Sequence, residues 1–273
     1  MSNAPSKGTA LVTGASTGIG AVYADRLAKR GYNLILVARN EANLTALSAR
    51  LTQETGRSIK VLPADLNNKA DLAKVEGTLR DDPSITMLVN NAGIASVAPL
   101  LDADIEKMAG MIDLNITALT RLTYAAAPAF VARGLGTIIN IASVVGISPE
   151  ALNGVYGASK AYVLAFSHSL HHELAGKGIR IQAVLPGATA TELWEKAGLH
   201  YRNLPAEIVM SVDDMVDAAL AGLDQGERVT IPPLQDGEEW NRFEAARRAL
   251  SQHLGNSVPA SRYRTGTEAR QRA

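Results

Sequence analysis

The chain has 273 residues, 47% of them apolar and 20% charged, with 27 Lys and Arg against 27 Asp and Glu. That balance leaves no field to draw nucleic acid or an anionic membrane surface, so neither partner is expected. The absence of cysteine excludes disulfides, thiolate metal sites and a cysteine nucleophile, and a chain of this length can bury one sizeable core.

Residues 1–8 have no apolar signal core and read as a flexible lead-in, and no apolar run approaches the ~18 residues of a membrane span. A cytoplasmic protein is expected. Residues 9–13 are a short apolar run ended by Gly14, the form of a strand buried on both faces, which suggests a parallel sheet. Gly14, Ser16, Thr17, Gly18, Ile19 and Gly20 then lie on a glycine-rich turn that opens an amphipathic helix over residues 21–30. The spacing is Gly-x-x-x-Gly-x-Gly rather than the commoner Gly-x-Gly-x-x-Gly, but the physics is shared. One glycine permits the sharp turn, one lets a pyrophosphate approach the backbone, and one lets the helix pack on the strand. The helix N-terminus offers donors and a positive dipole end to the phosphates. A tight turn without a ligand is the competing reading.

A second buried strand over residues 33–38 ends at Ala38, Arg39 and Asn40, where a nucleotide ribose would lie. No carboxylate stands there to accept from the 2′-hydroxyl of NAD. Arg39 offers a guanidinium suited to a 2′-phosphate, so NADP is expected and NAD is less favoured; the alternative is a solvated arginine opening a helix. A helix over residues 41–54 and a third strand over 58–62 lead to Asp65 and Leu66. Asp65 either accepts from an adenine edge or caps the helix of residues 69–79. A fourth strand, residues 86–89, runs into Asn90, Asn91, Ala92 and Gly93, where the amides can tie neighbouring loops and Ala-Gly leaves room for a flat ligand. Residues 104–131 read as one helix containing Asn115. A buried amide there must find partners or cost roughly 1–3 kcal/mol, so it either bends the helix or holds water.

A fifth strand, residues 137–142, ends at Ser143, and Tyr156 and Lys160 follow, four apart on one face of a helix with no breaker before Gly176. A phenol with an ordinary pKa of about 10 is a poor acid or base at neutral pH, and a cation beside it stabilises the phenolate, so the pair is a tunable acid/base. A sixth strand, residues 179–185, ends at Pro186, Gly187, Thr189 and Thr191. An amphipathic insertion over about 188–211, a helix over 212–223 and a last strand over 228–231 complete one α/β domain, residues 9–234. A C-terminal extension, 235–273, carries one helical run over 239–250 and a polar end from 257 that is expected to be poorly ordered. His168, His171 and His172 share one helix at metal-compatible spacing, but no fourth ligand is evident nearby and no metal is expected.

Thr13-Gly14-Ala15-Ser16-Thr17-Gly18-Ile19-Gly20, Asn90-Asn91-Ala92-Gly93, Asn115, Ser143, Tyr156-x-x-x-Lys160 and Pro186-Gly187 together resemble the short-chain dehydrogenases/reductases, over about residues 9–231. The resemblance implies a doubly wound, Rossmann-type parallel sheet of seven strands, order 3-2-1-4-5-6-7, with helices on both faces. It implies a homodimer or homotetramer packed through the helices bearing Asn115 and Tyr156. Small residues at helical spacing, Ala158, Ala165 and Ser169 with Tyr162, would form the face.

The resemblance also implies Tyr156 as acid/base, Lys160 lowering its pKa and holding the nicotinamide ribose, Ser143 polarising the carbonyl and Asn115 holding a water in a proton relay. Thr189 and Thr191 look like contacts to the carboxamide and a phosphate. The activity so implied is hydride transfer between NADP(H) and a carbonyl or secondary alcohol. Some NADP-using members carry a basic residue where this chain has Thr17, so the cofactor expectation rests on Ala38 and Arg39. Val145, Asn153 and Trp194, with Ile94, Val144 and Leu199, are the expected substrate walls; mostly apolar, they favour a hydrophobic ketone or aldehyde. A cofactor-binding sensor on the same fold is the alternative, and such proteins often lack the tyrosine or the lysine that this chain retains.

Overall fold

The computed structural model describes residues 6–263. Seven strands, β1 (Thr9–Thr13), β2 (Asn33–Ala38), β3 (Ile59–Pro63), β4 (Ile85–Asn90), β5 (Gly136–Ile141), β6 (Ile179–Val184) and β7 (Val229–Thr230), form one sheet of order β3-β2-β1-β4-β5-β6-β7. All the pairings are parallel. Strand side chains alternate between two cores. Ala10, Val12, Leu34 and Leu36 pack with Tyr23 and Leu27 of α1 (Gly18–Lys29), Leu44 and Leu51 of α2 (Glu41–Thr55) and Met215 and Leu220 of a later helix, Val212–Gln225. Leu11, Ile35 and Val37 face the opposite way. They meet Leu72 and Val75 of α3 (Lys69–Asp81) and residues of the helices that follow β4 and β5. With both faces covered, each strand is an apolar run rather than an alternating one.

Residues 104–131 are not one regular helix. α4 (Ile105–Ile112) passes into a π turn, Asp113–Ala118, and continues as α5 (Leu119–Arg133). Asn115 sits in that turn, so its buried amide coincides with a local change of helical pitch. A second correction concerns Asp65. The cap of α3 is Asn68, whose Oδ1 accepts from the N–H groups of Ala70 and Asp71 at 2.9 and 3.2 Å, while Asp65 Oδ1 accepts from Asn67 N at 3.0 Å. Asn68 immediately precedes the helix and is placed to reach its first donors.

α6 (Gly154–Leu174) follows β5, and the remaining helices of this unit are the short α7 (Leu193–Lys196) and α8 (Val212–Gln225). No helix among the described residues is long and apolar enough to cross a membrane. On α6, Ala158, Ala165 and Ser169 are exposed, and Tyr162 shares a 2.8 Å hydrogen bond with Thr120 and stacks on Phe166 at 5.6 Å. The chain divides into two compact units between Pro233 and Leu234. In the second, α9 (Gly237–Ser251) is capped by Asp236, and Glu244 pairs with Arg247 at 2.8 Å. Of the polar end, residues 261–263 form a single 3-10 turn and residues 264–273 lie outside the described residues, as do residues 1–5 of the lead-in.

A row of buried polar side chains ties the sheet centre to two helices. Asn90 Nδ2 donates to Thr123 Oγ1 at 3.1 Å and to Asn140 Oδ1 at 3.0 Å, and Asn140 Nδ2 donates to Ser167 Oγ at 3.0 Å. Asn140→Ala removes both of its links and strands an Asn90 donor away from water. Chemical denaturation should show a loss of about 1–3 kcal/mol; an unchanged midpoint would show that the row contributes nothing net.

Candidate active site

A cleft of about 1110 Å³ opens where the carboxyl ends of the strands meet the loops that follow them. Parallel strands place all those loops on one edge, and the chain winds in opposite directions from β1 and β4, which leaves a crevice between them. Gly14, Ser16, Thr17, Gly18 and Ile19 form its first wall. Gly14 and Gly18 have φ of 66° and 56°, where L side chains are strained, and a Cβ on Gly14 would lie 2.9 Å from Ala92 Cα. Thr17 makes no side-chain cap, so the first N–H groups of α1 are left for whatever occupies the cleft. Gly20 is not part of the wall: it faces inward, where a Cβ would overlap the Gly14 carbonyl. Its contribution is the close packing of α1 on the turn.

Thr13 locks this wall to the next. Its Oγ1 donates to Val89 O and accepts from the N–H groups of Asn91 and Ala92, both at 3.0 Å, while Asn91 Nδ2 donates to Thr13 O at 2.9 Å and to Gly14 O at 3.2 Å. Asn91, Ala92 and Gly93 then line the cleft floor, and Ala38, Arg39, Asp65 and Leu66 line one end. Arg39 is exposed there and has no ion pair among the described residues. Asn40 is committed elsewhere, with its Oδ1 accepting from Asn43 N at 3.0 Å.

Ser143, Tyr156 and Lys160 meet at the other end of the cleft, with Pro186, Gly187, Thr189 and Thr191 beside them. Gly146 makes this possible, since a Cβ there would lie 2.8 Å from Lys160 O, and the loop after Ser143 therefore rests directly on α6. Burial pushes the Tyr156 phenol up to about 12, with a hydrogen bond to Ser143 pulling the other way. Burial also pushes the Lys160 ammonium down, to about 8. The net shift of the phenol is therefore upward and set by burial, although Lys160 was expected to bring it below its ordinary value. Nζ stands 5.8 Å from the Tyr156 ring centroid and donates to Ile141 O at 2.9 Å.

Asn115 lies behind this end rather than in it. Its Oδ1 accepts from Ile94 N at 3.0 Å, and its Nδ2 donates to Ile94 O at 2.9 Å and to Ser159 Oγ at 3.1 Å. The side chain is thus held by protein partners, which fixes Asn115 against Ile94 and α6. Asn153 is likewise not on the cleft wall. Its Oδ1 caps α6, accepting from Val155 N at 2.9 Å and Tyr156 N at 3.4 Å, and its Nδ2 donates to Ala98 O at 2.5 Å. Leu199 also falls outside the wall, whereas Ile94, Val144, Val145 and Trp194 belong to it, with Trp194 Nε1 donating to Thr189 O at 3.0 Å.

Met108 and Met111 complete the chamber and were not expected. They pack with Val145 and Tyr156, flanked by Ile94, Ala95, Ala103, Leu152 and Val155. Their spacing on α4 was the available signal, but it reads equally as ordinary core. The rim carries the exposed carboxylates of Asp102, Asp104, Glu106 and Glu192 against Lys107 and Lys196, and Lys196 is itself paired with Glu192 at 3.0 Å. Among the described residues no three His, Asp or Glu side chains come together in a group able to hold a metal ion.

Residues 8–202 match the family model described as short chain dehydrogenase. The chain is 50% identical, over 94% of its length and all of the other chain, to the structure of a short-chain dehydrogenase from Sphingobium yanoikuyae in complex with NADPH, with a TM-score of 0.92. It is 45% identical, over 96% of its length and all of the other chain, to the bulky-bulky ketone specific alcohol dehydrogenase from Comamonas testosteroni, with a TM-score of 0.88. A very-long-chain 3-oxoacyl-CoA reductase from Anas platyrhynchos is 38% identical over 67% of this chain, which spans 60% of that protein's length. With the sheet order, the glycine turn and the Tyr156–Lys160 pair all consistent with that match, the chain belongs to the short chain dehydrogenase family of oxidoreductases.

Proposed function

We propose that this protein is an NADP(H)-dependent oxidoreductase that interconverts a neutral, hydrophobic ketone and its secondary alcohol, with Tyr156 as the acid/base. One observation carries the reading: a buried phenol beside Ser143 and Lys160 closes one end of a cleft whose other end holds a glycine turn, an open helix N-terminus and Arg39. The residues fit a dinucleotide, because the turn of Gly14, Ser16, Thr17, Gly18 and Ile19 lines the cleft and the first N–H groups of α1, left without a side-chain cap, would meet a pyrophosphate there. Arg39 would pair with the 2′-phosphate, and Lys160 and Thr191 would hold the nicotinamide half. The complex of the Sphingobium relative with NADPH agrees with this choice.

When bound, the nicotinamide supplies or takes up the hydride. Ser143 would donate to the carbonyl oxygen and hold it toward the phenol, and Tyr156 would give that oxygen its proton in reduction and remove it in oxidation. With a phenol pKa near 12, Tyr156 is protonated at neutral pH and ready as an acid. The chamber wall of Met108, Met111, Val145 and Trp194 favours apolar substituents, and unbranched methionines adapt to bulky ones. The rim carboxylates outnumber the rim cations and disfavour anionic substrates. The ketone named for the Comamonas relative is consistent with such a chamber.

NADPH oxidation followed at 340 nm should appear with neutral ketones bearing an apolar group on each side and be much weaker with carboxylated or phosphorylated analogues. No turnover of any neutral ketone would overturn the reading. Tyr156→Phe should lower kcat by about 100- to 10,000-fold with NADPH affinity unchanged. The sign of the pH dependence follows from the raised phenol: reduction uses the protonated form and persists through neutral pH, whereas oxidation of the alcohol needs the phenolate and should rise from pH 7 to 10. An oxidation rate that falls over that range would exclude Tyr156 as the base.

Cofactor choice is read at the end of β2. Charge-assisted contacts contribute roughly 1.5–3 kcal/mol, so preference for NADP over NAD should be about 10- to 100-fold. The double change Ala38→Asp with Arg39→Ser should reverse it, since a carboxylate there accepts from the NAD ribose and repels the phosphate. Fluorescence titration with both reduced cofactors decides the matter, and a double variant still favouring NADPH would place recognition elsewhere.

We also propose self-association through α6, where Ala158, Ala165 and Ser169 are exposed beside stacked Tyr162 and Phe166. Light scattering should give at least twice the subunit mass at micromolar concentration; a single subunit mass would refute it.

A further inference from the structure

We propose that Asn153 is a positioning residue that straps the roof of the substrate chamber to the helix carrying Tyr156, and that this strap sets the width of the chamber for a bulky ketone. The proposal rests on the reading of Tyr156 as the acid/base.

An N-cap needs only an acceptor, and Ser, Thr or Asp would serve as well as Asn. Asn153 does more than cap. While its Oδ1 takes the N–H groups of Val155 and Tyr156, its Nδ2 crosses to the Ala98 carbonyl, 55 residues away in sequence. Ala98 ends the segment 94–98, every residue of which borders the cleft. The segment is held at three points. Asn115 grips Ile94 through both its N–H and its carbonyl, Val97 N donates to Ala197 O at 3.2 Å, and Asn153 holds Ala98. Ala197 is the residue after α7, which carries Trp194. Hydrogen bonds joined by the Val97–Ala98 peptide therefore lead from the amide of Tyr156, through Asn153, to Ala197 and the substrate wall that carries Trp194. Asn153 is itself buried, so water is a poor replacement for either of its links.

If the strap is cut while the cap is kept, the phenol stays in place and the roof loosens. The first change should leave chemistry on a small aldehyde intact, because such a substrate does not reach the roof. The second should weaken the seating of a ketone that fills the chamber. These are separable in kcat and KM, and a residue that only helped the chain to fold would not separate them.

Two variants make the test. Asn153→Ser retains a capping oxygen and loses the donor to Ala98, whereas Asn153→Ala loses both. For Asn153→Ser, kcat with a small aldehyde should remain within about twofold of the parent, while KM for a bulky ketone rises by roughly tenfold, the effect of about 1.4 kcal/mol. Asn153→Ala should in addition lower kcat with both substrates. NADPH affinity by fluorescence should be unchanged in each variant. Hydrogen exchange of segments 94–98 and 193–198 should quicken in Asn153→Ser, and this readout needs no turnover. If the parent protein reduces no carbonyl, the proposed function fails and the exchange measurement alone decides the strap. Parent-like exchange in Asn153→Ser, parent-like KM for the bulky ketone, or equal losses on both substrates accompanied by weaker NADPH binding would each overturn the proposal.

Discussion

The constraint on which the rest depends is the burial of a parallel sheet on both faces. Seven parallel strands with helices on either side must direct all their carboxyl-end loops to one edge, because each crossover returns the chain to the opposite edge before the next strand starts. The order reverses direction at β1 and β4, and the crevice opens there. The glycine turn after β1, Arg39 after β2, the Asn91 loop after β4 and Ser143 after β5 converge for that reason, although up to 129 positions separate Gly14 from Ser143 in the numbering.

Within that frame, burial also governs the chemistry. Tyr156 and Lys160 lie deep enough that desolvation raises one pKa and lowers the other, disfavouring the charged form of each, although a lysine near 8 still carries its proton at neutral pH. A neutral phenol is a suitable proton donor, and a lysine whose pKa lies near 8 is responsive to charge brought beside it. The same depth imposes strict packing. Gly146 allows the Ser143 loop to touch the backbone of α6, and Gly93 leaves the room between Asn115 and Lys160 that a side chain would fill, a Cβ there being 3.1 Å from Asn115 Oδ1.

Asparagine is the recurrent connector. Asn91 joins the β4 loop to the glycine turn, Asn90 and Asn140 join the sheet to α5 and α6, Asn115 fastens Ile94 at the π turn, and Asn153 joins α6 to Ala98. A primary amide presents a donor and an acceptor on one short, rigid arm, so a single buried side chain can satisfy a carbonyl and an N–H from two different elements. These links hold the loops of the cleft without the aid of disulfides, which a chain with no cysteine cannot form.

The order of strands and helices, the parallel character of the sheet and the two ends of the cleft were legible in the sequence because each is a local signal: an apolar run, a glycine spacing, a Tyr and Lys one helical turn apart. Residues whose role depends on what they touch across the fold were not. Asp65 reads as a possible cap, and Asn68, adjacent to the helix start and not singled out in the sequence, took the task. Asn153 reads as a polar substrate contact and instead bonds the backbone on two elements, while Gly20 packs inward and Met108 and Met111, unremarkable on a helix, form the chamber wall. Lys160 was expected to acidify the phenol by proximity along the helix, whereas burial, which no spacing reveals, moves the phenol upward. Spacing along the chain specifies which side chains share a face; how far each is removed from water, and which carbonyl it meets there, depends on elements tens of residues away, and only the tertiary structure decides that.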